Sequence, residues 1–415
     1  MRRFALLAGV LLVAVSMVTV FGAGAPEEEE VGEYGYPIEV EEWLQEAALG
    51  PYQEAEFDEE ALYQAALDNN ESVLVYAGTS RMARVADSFE EKYPGISVTP
   101  DMAGTAEVIE KFQRESEAGR YEADVVQASQ AGRQLAVLYN RHHLFPYVPG
   151  DVAQHMDDNQ MEPVVHWRYG SRQWIYNDYV SDGEPFTNLW ELTDPEWEGR
   201  VVVGDPRTDG GTLDYFTLVT VKHDDMERAY EQHYGESPDT SQYNAGEKWV
   251  LDLFDNNPVL VPSERDIPDI VGNPDGQDEA LVGLIAGSRF RSVGDPAAGD
   301  LRFFPTLNTV PTIGNLAIYP VGIAYKTENP NAAKLFVRHL FGDSEGGEGW
   351  EPFHVPGNWP GSDHVTVAPD HPDAPELMDA LWPRRDLNFW TMDRDTIEAV
   401  YQTQGDVLDL LSIVM

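Results

Sequence analysis

The stretch SVLVYAGTSRMARVADSFEEKYPGISVTPDMAGTA, residues 72–106, decides the fold. Residues 72–77 form a short apolar run rich in β-branched side chains, the pattern of a buried parallel strand. Gly78-Thr79-Ser80 breaks the run and offers a helix N-cap. Met82, Val85, Ala86, Phe89 and Tyr93 recur at helical spacing, so the next segment has one apolar face. Pro94-Gly95 stops that helix, 96–99 begins a second strand, and Ala103-Gly104-Thr105 opens a second helix. Each strand thus runs into a small polar loop at a helix start, where free backbone N–H groups and the positive end of the helix dipole converge. In open α/β sheets ligands bind beyond the carboxyl ends of the strands. These loops are therefore the first candidates for a binding site.

Upstream of this stretch, 57–67 reads as a helix ending at Asp68-Asn69-Asn70. Residues 26–70 as a whole form an acidic lead-in with a short helix at 40–49, and its first part, to about Gly50, reads as a solvated linker. Downstream, ADVVQA (123–128) is a third strand ending at Ser129-Gln130, with a helix over 132–141 behind it. Three βα units in a row predict a doubly wound sheet. SRQWIYN (171–177) is extended and crosses to a second α/β unit. That unit contains a strand at 200–203, the loop DPRTDGG (205–211), helices at 212–221 and 245–256, and strands at 259–261 and 279–286. NLAIYPVGIAY (315–325) is the return crossing. Asn329-Pro330 then caps a helix with the apolar stripe Ala333, Phe336, Val337 and Leu340, and the chain ends in a helix near 394–411.

The 415 residues suffice for two cores, and a hydrophobic content of 42% describes a folded globular chain. There is no cysteine, which excludes disulfides, thiolate metal sites and a cysteine nucleophile. Residues 1–25 have the build of a secretory signal: Arg2 and Arg3, an apolar run over 4–21, then Gly22-Ala23-Gly24-Ala25. Without cysteine a lipid anchor is excluded, so the expectation is a free periplasmic protein. The formal net charge of −46 opposes nucleic acid and anionic membrane as partners. Only six lysines occur in the chain, and acidic residues are spread along it, which predicts a surface adapted to high salt.

Enzyme signatures are missing from the sequence: no G-x-S-x-G elbow, no Walker A loop, no H-E-x-x-H and no clean G-x-G-x-x-G. No cofactor is expected. Paired carboxylates among 73 acidic residues keep a secreted hydrolase as the alternative class. Asp209-Gly210-Gly211-Thr212 lacks the acidic spacing of a calcium loop, with Phe216 where a bidentate Glu is needed. His142 and His143 are adjacent and point to different helix faces, so no metal site is expected.

The order of GTSR, YPGISV, GTAE, ADVV, IYN, DPEWEGRVVVGDP and ENPNAAKLFVRHLF over roughly 60–415 resembles that of the extracellular solute-binding proteins of ABC importers. Within them it is most similar to the branch of ferric-binding and phosphorylated-sugar-binding proteins. The resemblance implies a two-lobed, type II periplasmic-binding-protein fold of class α/β, with two doubly wound sheets joined by crossing strands. Lobe one would be 71–171 plus 318–415, and lobe two 175–315. It also implies a monomer that closes on a small-molecule solute and passes it to an ABC permease. Ferric members use adjacent tyrosines late in the second lobe, and no Tyr-Tyr pair occurs here; ferric transport is kept as an alternative.

The candidate wall residues are Thr79, Ser80, Arg81, Thr105, Ser129 and Gln130 on one lobe. On the other they are Thr208, Asp209, Gly211, Thr212, Glu264, Arg265 and Asp266, with Tyr176 and Tyr319 on the crossings. Hydroxyls, backbone amides and arginine suit a phosphate, phosphonate or carboxylate, and Glu264 or Asp266 would take the ligand's hydroxyls or amine.

Overall fold

Val73–Ala77 lies at the centre of three parallel strands, flanked by Val98–Met102 and Val125–Gln127. The helix Met82–Lys92 buries Met82, Val85, Ala86 and Phe89, the face its spacing predicts. Thr105–Glu117 follows the second strand and buries Val108, Ile109 and Phe112. The structure is a computed structural model and describes residues 30–273, 277, 279–382 and 387–415; the signal-like segment 1–25 lies outside the described residues. Among the described residues no helix is long and apolar enough to cross a membrane.

A second parallel group has Val201–Gly204 between Val259–Val261 and Val282–Ala286. The two groups are joined by long antiparallel crossing strands, Val165–Tyr176 and Gly314–Ala324. Val125–Gln127 pairs antiparallel with the second crossing strand, and Val282–Ala286 pairs antiparallel with the first. The hydrogen-bond ladder therefore runs unbroken from one lobe through the crossings into the other as a twelve-stranded sheet. Its register slips between Tyr319 and Pro320, where proline has no N–H to give to a ladder. The fold is α/β and of the two-lobed type, as expected, but the two expected sheets are one, because the crossing strands hydrogen-bond to both parallel groups. The first crossing strand begins earlier than 171 because His166 and Arg168 are buried within it, and their polarity conceals a strand that apolar patterning would reveal.

The first part of the lead-in is a correction to the sequence reading. It is not a solvated linker. The helix Ile38–Ala47 buries Val40, Leu44 and Ala47 in the same core as Val75, Phe89, Trp167 and Phe336. The Glu41 carboxylate accepts the N–H groups of Glu33 (2.9 Å) and Tyr34 (3.2 Å) and the Tyr52 hydroxyl (2.9 Å), tying the segment into one folded unit. The helix His223–Tyr234, which the sequence reading passed over, is largely polar and ends at Gly235, whose φ of 76° suits glycine.

The C-terminal helix Arg394–Leu411, read from sequence as part of lobe one, touches both lobes. Val400, Val407, Leu410 and Leu411 join the core of the second lobe with Phe216 and Trp249. Ile397 joins Ala131 and Leu135 of the first. Gly132 permits this approach, since a Cβ there would stand 2.5 Å from the Ile397 carbonyl oxygen.

Candidate functional site

Between the lobes lies a cavity of about 500 Å³. Gly104, Thr105, Ser129 and Gln130 line it from the first lobe. Thr208 to Gly211, Ser263 to Arg265 and Ala286 line it from the second. These loops all follow the carboxyl ends of strands, where the sequence pattern placed them. Arg172, Asn315 and Tyr319 come from the crossing strands, and Ile397, Tyr401 and Gln404 form a wall from the C-terminal helix.

The Thr105 and Ser129 hydroxyls lie 2.9 Å apart and join two loops of the first lobe. Gln130 adopts φ 60°, a strained conformation for a residue with a side chain. Its Nε2 would stand 3.0 Å from a Cβ on Gly210, so the lobes meet at this point. Across the cleft, Asp209 accepts the N–H of Thr212 (2.9 Å) and of Glu264 (3.2 Å), and Arg172 Nη2 lies 3.6 Å away. Burial alone would raise the Asp209 carboxyl, but Arg172 and those N–H groups hold it below its usual range. Arg172 also donates to Thr212 Oγ1 (3.3 Å). It can lie there because Gly211 has no Cβ, which would fall 1.8 Å from Nη2.

Thr105, Ser129, Gln130, Thr208, Asp209, Gly211, Glu264, Arg265 and Tyr319 are thus brought together around one cavity. Other sequence candidates stand elsewhere. Thr212 is fully buried beneath the helix start, and Tyr176 is packed in the second lobe's core. Asp266 is exposed outside the cavity. Thr79 and Ser80 do not line it; Thr79 Oγ1 accepts the Arg81 N–H as a turn contact (3.3 Å). Glu264 is engaged locally, accepting the N–H of Ala286 (3.1 Å) and Arg289 Nη2 (3.3 Å), so its hydroxyl-binding role gains no support from the geometry.

Behind Tyr319, and outside the residues that line this cavity, stands a cluster of arginines that includes the sequence candidate Arg81. Arg168 is 5% exposed, with its guanidinium carbon 3.5 Å from the centre of the Tyr319 ring. Its Nη1 donates to Asn358 Oδ1 (3.0 Å), while its Nε has no partner. Arg81 is pulled down to about 10 by burial and then by the fields of Arg168, Arg291 and Arg289. Arg291 is lowered by burial and by Arg289. Among the described residues no carboxylate forms an ion pair with Arg81, Arg168, Arg265 or Arg291. Sequence reasoning picked out Arg81 and Arg265 and missed Arg168, Arg289 and Arg291. The signal was present: RYGSR (168–172) and SRFRS (288–292) concentrate cations in a strongly acidic chain.

Three further groups were missed. Asp214 lines the cavity, and burial lifts its carboxyl to about 6 against the opposing effects of Arg172 and Gln404. Gln404 Nε2 donates to it at 2.5 Å. Asn315 is 4% exposed, lines the cavity, and its Oδ1 has no partner; Gln130 Oε1 is likewise unpaired. Among the described residues, no group of three or more His, Asp or Glu is placed to hold a metal ion.

The family model described as bacterial extracellular solute-binding protein matches residues 72–346. No curated protein matches the sequence. Iron-bound HitA from Pseudomonas aeruginosa superposes with a TM-score of 0.61 at 17% identity, over 83% of this chain and 99% of that one. The Trichodesmium protein IdiA (FutA), in complex with iron and citrate, gives 0.58 at 16% identity over the same shares. An ABC transporter structure from Clostridium perfringens gives 0.58 at 13% identity, again over 83% and 99%. At these identities the likeness establishes the fold, that of type II periplasmic binding proteins.

Proposed function

The chain belongs to the bacterial extracellular solute-binding proteins, transport proteins rather than enzymes, and from that premise we propose that it binds a small anionic organic solute, phosphorylated or carboxylated, in the interlobe cleft. The observation that carries this reading is the cluster of Arg81, Arg168 and Arg291, unpaired cations in a chain of net charge −46. Arg168 is buried without a counter-charge, which is unfavourable, while Arg81 is half-buried and Arg291 exposed beside it; a ligand's negative group would complete the cluster. Guanidinium forks match carboxylate and phosphate oxygens, and the helix starts at Thr105 and Gly210 add backbone N–H groups.

HitA and IdiA were solved with iron. Here a bare ferric ion would meet the field of several arginines, which favours an anion over a free cation. The lobes would hinge where the crossing strands pass between them, near 171–175 and 315–318. The chain would be exported by the segment 1–25, and the liganded, closed monomer would then present its acidic lobes to an ABC permease.

Native mass spectrometry of protein purified without refolding tests the ligand class through any solute carried over. Calorimetry with phosphorylated and carboxylated solutes then compares the parent with Arg81→Gln and Arg291→Gln. Each substitution is expected to weaken binding about ten- to a hundredfold, the range of one charge-assisted hydrogen bond. Binding of ferric ion alone, or anion affinity unchanged in both variants, overturns the reading.

A further inference from the structure

A second cavity, of about 220 Å³, lies at the seam between the lead-in and the first lobe and shares no lining residue with the interlobe cleft. It is lined in part by Gln53, Glu54, Phe57, Tyr147, Asn331 and Lys334. The lead-in precedes the region matched by the family model, so this cavity is built partly from an addition to the common fold.

Lys334 sits on the helix Pro330–Phe341 and is only 7% exposed. Its stem is buried, and its ammonium opens onto the cavity. Lys334 makes no hydrogen bond and no ion pair among the described residues, and it lines the cavity. Burial pulls the ammonium down to about 8, and the more distant Glu54 and Glu71 carboxylates only partly oppose this. The apolar wall is Phe57, Ala61, Leu62 and Ala65, while Glu54, Glu56 and Asp58 are exposed at the rim. The Tyr147 side chain is buried, and its hydroxyl makes no hydrogen bond.

The charges are therefore ordered: one unpaired cation inside, carboxylates outside, an aromatic and aliphatic wall between. A plain anion would have to pass and then face the acidic rim. A plain cation would be repelled by Lys334. We propose that this cavity is a second binding site, for a small zwitterion. Its carboxylate rests on the Lys334 ammonium, and its ammonium or quaternary nitrogen faces Glu54 and Glu56. A dry cavity of about 150 Å³ holds benzene, so this space suits a betaine or amino acid of modest size.

The test is a lysine-acylation footprint on the intact protein at pH 8, read by peptide mass spectrometry. The probes are glycine betaine and carnitine, against acetate and choline at matched ionic strength. The zwitterions are expected to slow acylation of Lys334 severalfold and to leave Lys92 and Lys222 unchanged, whereas acetate and choline leave Lys334 unaffected. Lys334→Met is expected to fold and to lose any rise in melting temperature produced by the zwitterions. Arg81→Gln, in the other cavity, leaves the footprint intact. Equal protection by acetate, or no protection by either zwitterion, overturns the proposal.

Discussion

Asp214 shows how one side chain can carry a response that its neighbours in sequence do not announce. Its carboxyl is lifted to about 6 by burial, although Arg172 and Gln404 favour the ionised form. The folded protein therefore holds this proton over a pH range where the unfolded chain has released it. The sign follows: stability falls as pH rises from the ordinary aspartate range to about 6, and the loss is complete above it. Asp214→Asn is expected to flatten the stability curve between those limits and to raise stability at pH 7 by about 2 kcal/mol, as thermal melts would show. Protonation also removes a negative charge from the cleft. Affinity for a carboxylated or phosphorylated solute should rise on going from pH 7 to pH 5 in the parent and stay level in Asp214→Asn. Superimposable curves for the two proteins would remove Asp214 from the account. Nothing in the sequence marks Asp214 among 73 acidic residues; only its enclosure by Arg172 and Gln404 does.

At the scale of elements the C-terminal helix has the most to say about the cleft. The helix is legible in the sequence, and in the structure the Asp393 carboxylate caps it by accepting the Thr396 N–H at 2.9 Å. Where it packs is not legible in the sequence. Its apolar stripe fits the second lobe, yet Ile397 crosses to the first, against Gly132. Gly132→Ala should force this contact apart, lower the melting temperature by a few degrees, and weaken solute binding by shifting the wall of Ile397, Tyr401 and Gln404. Gly405 on the same helix is the control. It is exposed, and a Cβ there meets nothing within 4 Å. Gly405→Ala should raise stability by about 0.5–1 kcal/mol through helix propensity, with binding unchanged. Melting curves and calorimetry on both variants decide whether the helix is part of the site or only of the scaffold.

For the whole molecule the dominant quantity is the charge of −46. Most arginines and lysines at the surface are paired locally, as in Arg338 with Asp151 (2.7 Å), Arg141 with Glu117 (3.0 Å) and Lys92 with Glu59 (2.9 Å). Exposed pairs of this kind contribute at most about 1 kcal/mol each, so they do not cancel the repulsion among the remaining carboxylates. Raising salt screens that repulsion within a shrinking Debye length. The melting temperature should climb between low and molar sodium chloride, and a flat or falling trend would show that the acidic surface is not a salt adaptation. The same field bears on the cleft. Arg81, Arg168 and Arg291 form no ion pair with a carboxylate among the described residues, so lower salt should strengthen their hold on an anion even as it loosens the fold.

Most of the strands and helices, the two crossings and the loops that face the cleft are legible in the sequence. Those features are written in local periodicity: β-branched runs for strands, three-to-four spacing for helices, glycine and proline at their ends. Local pattern also placed Thr105, Ser129, Gln130, Asp209 and Gly211 at strand ends, where a doubly wound sheet puts ligands. Which charges lack a partner is visible only once distant segments are packed together. Arg168 meets Tyr319 because two strands far apart in the chain run antiparallel side by side. Arg81 shares their electrostatic environment with Arg289 and Arg291 because the lobes face each other. The lead-in becomes core, and Lys334 becomes buried, because a helix before the sheet packs on a helix after it. Burial and pairing are properties of contacts between distant segments, and composition counts charges without saying where they meet.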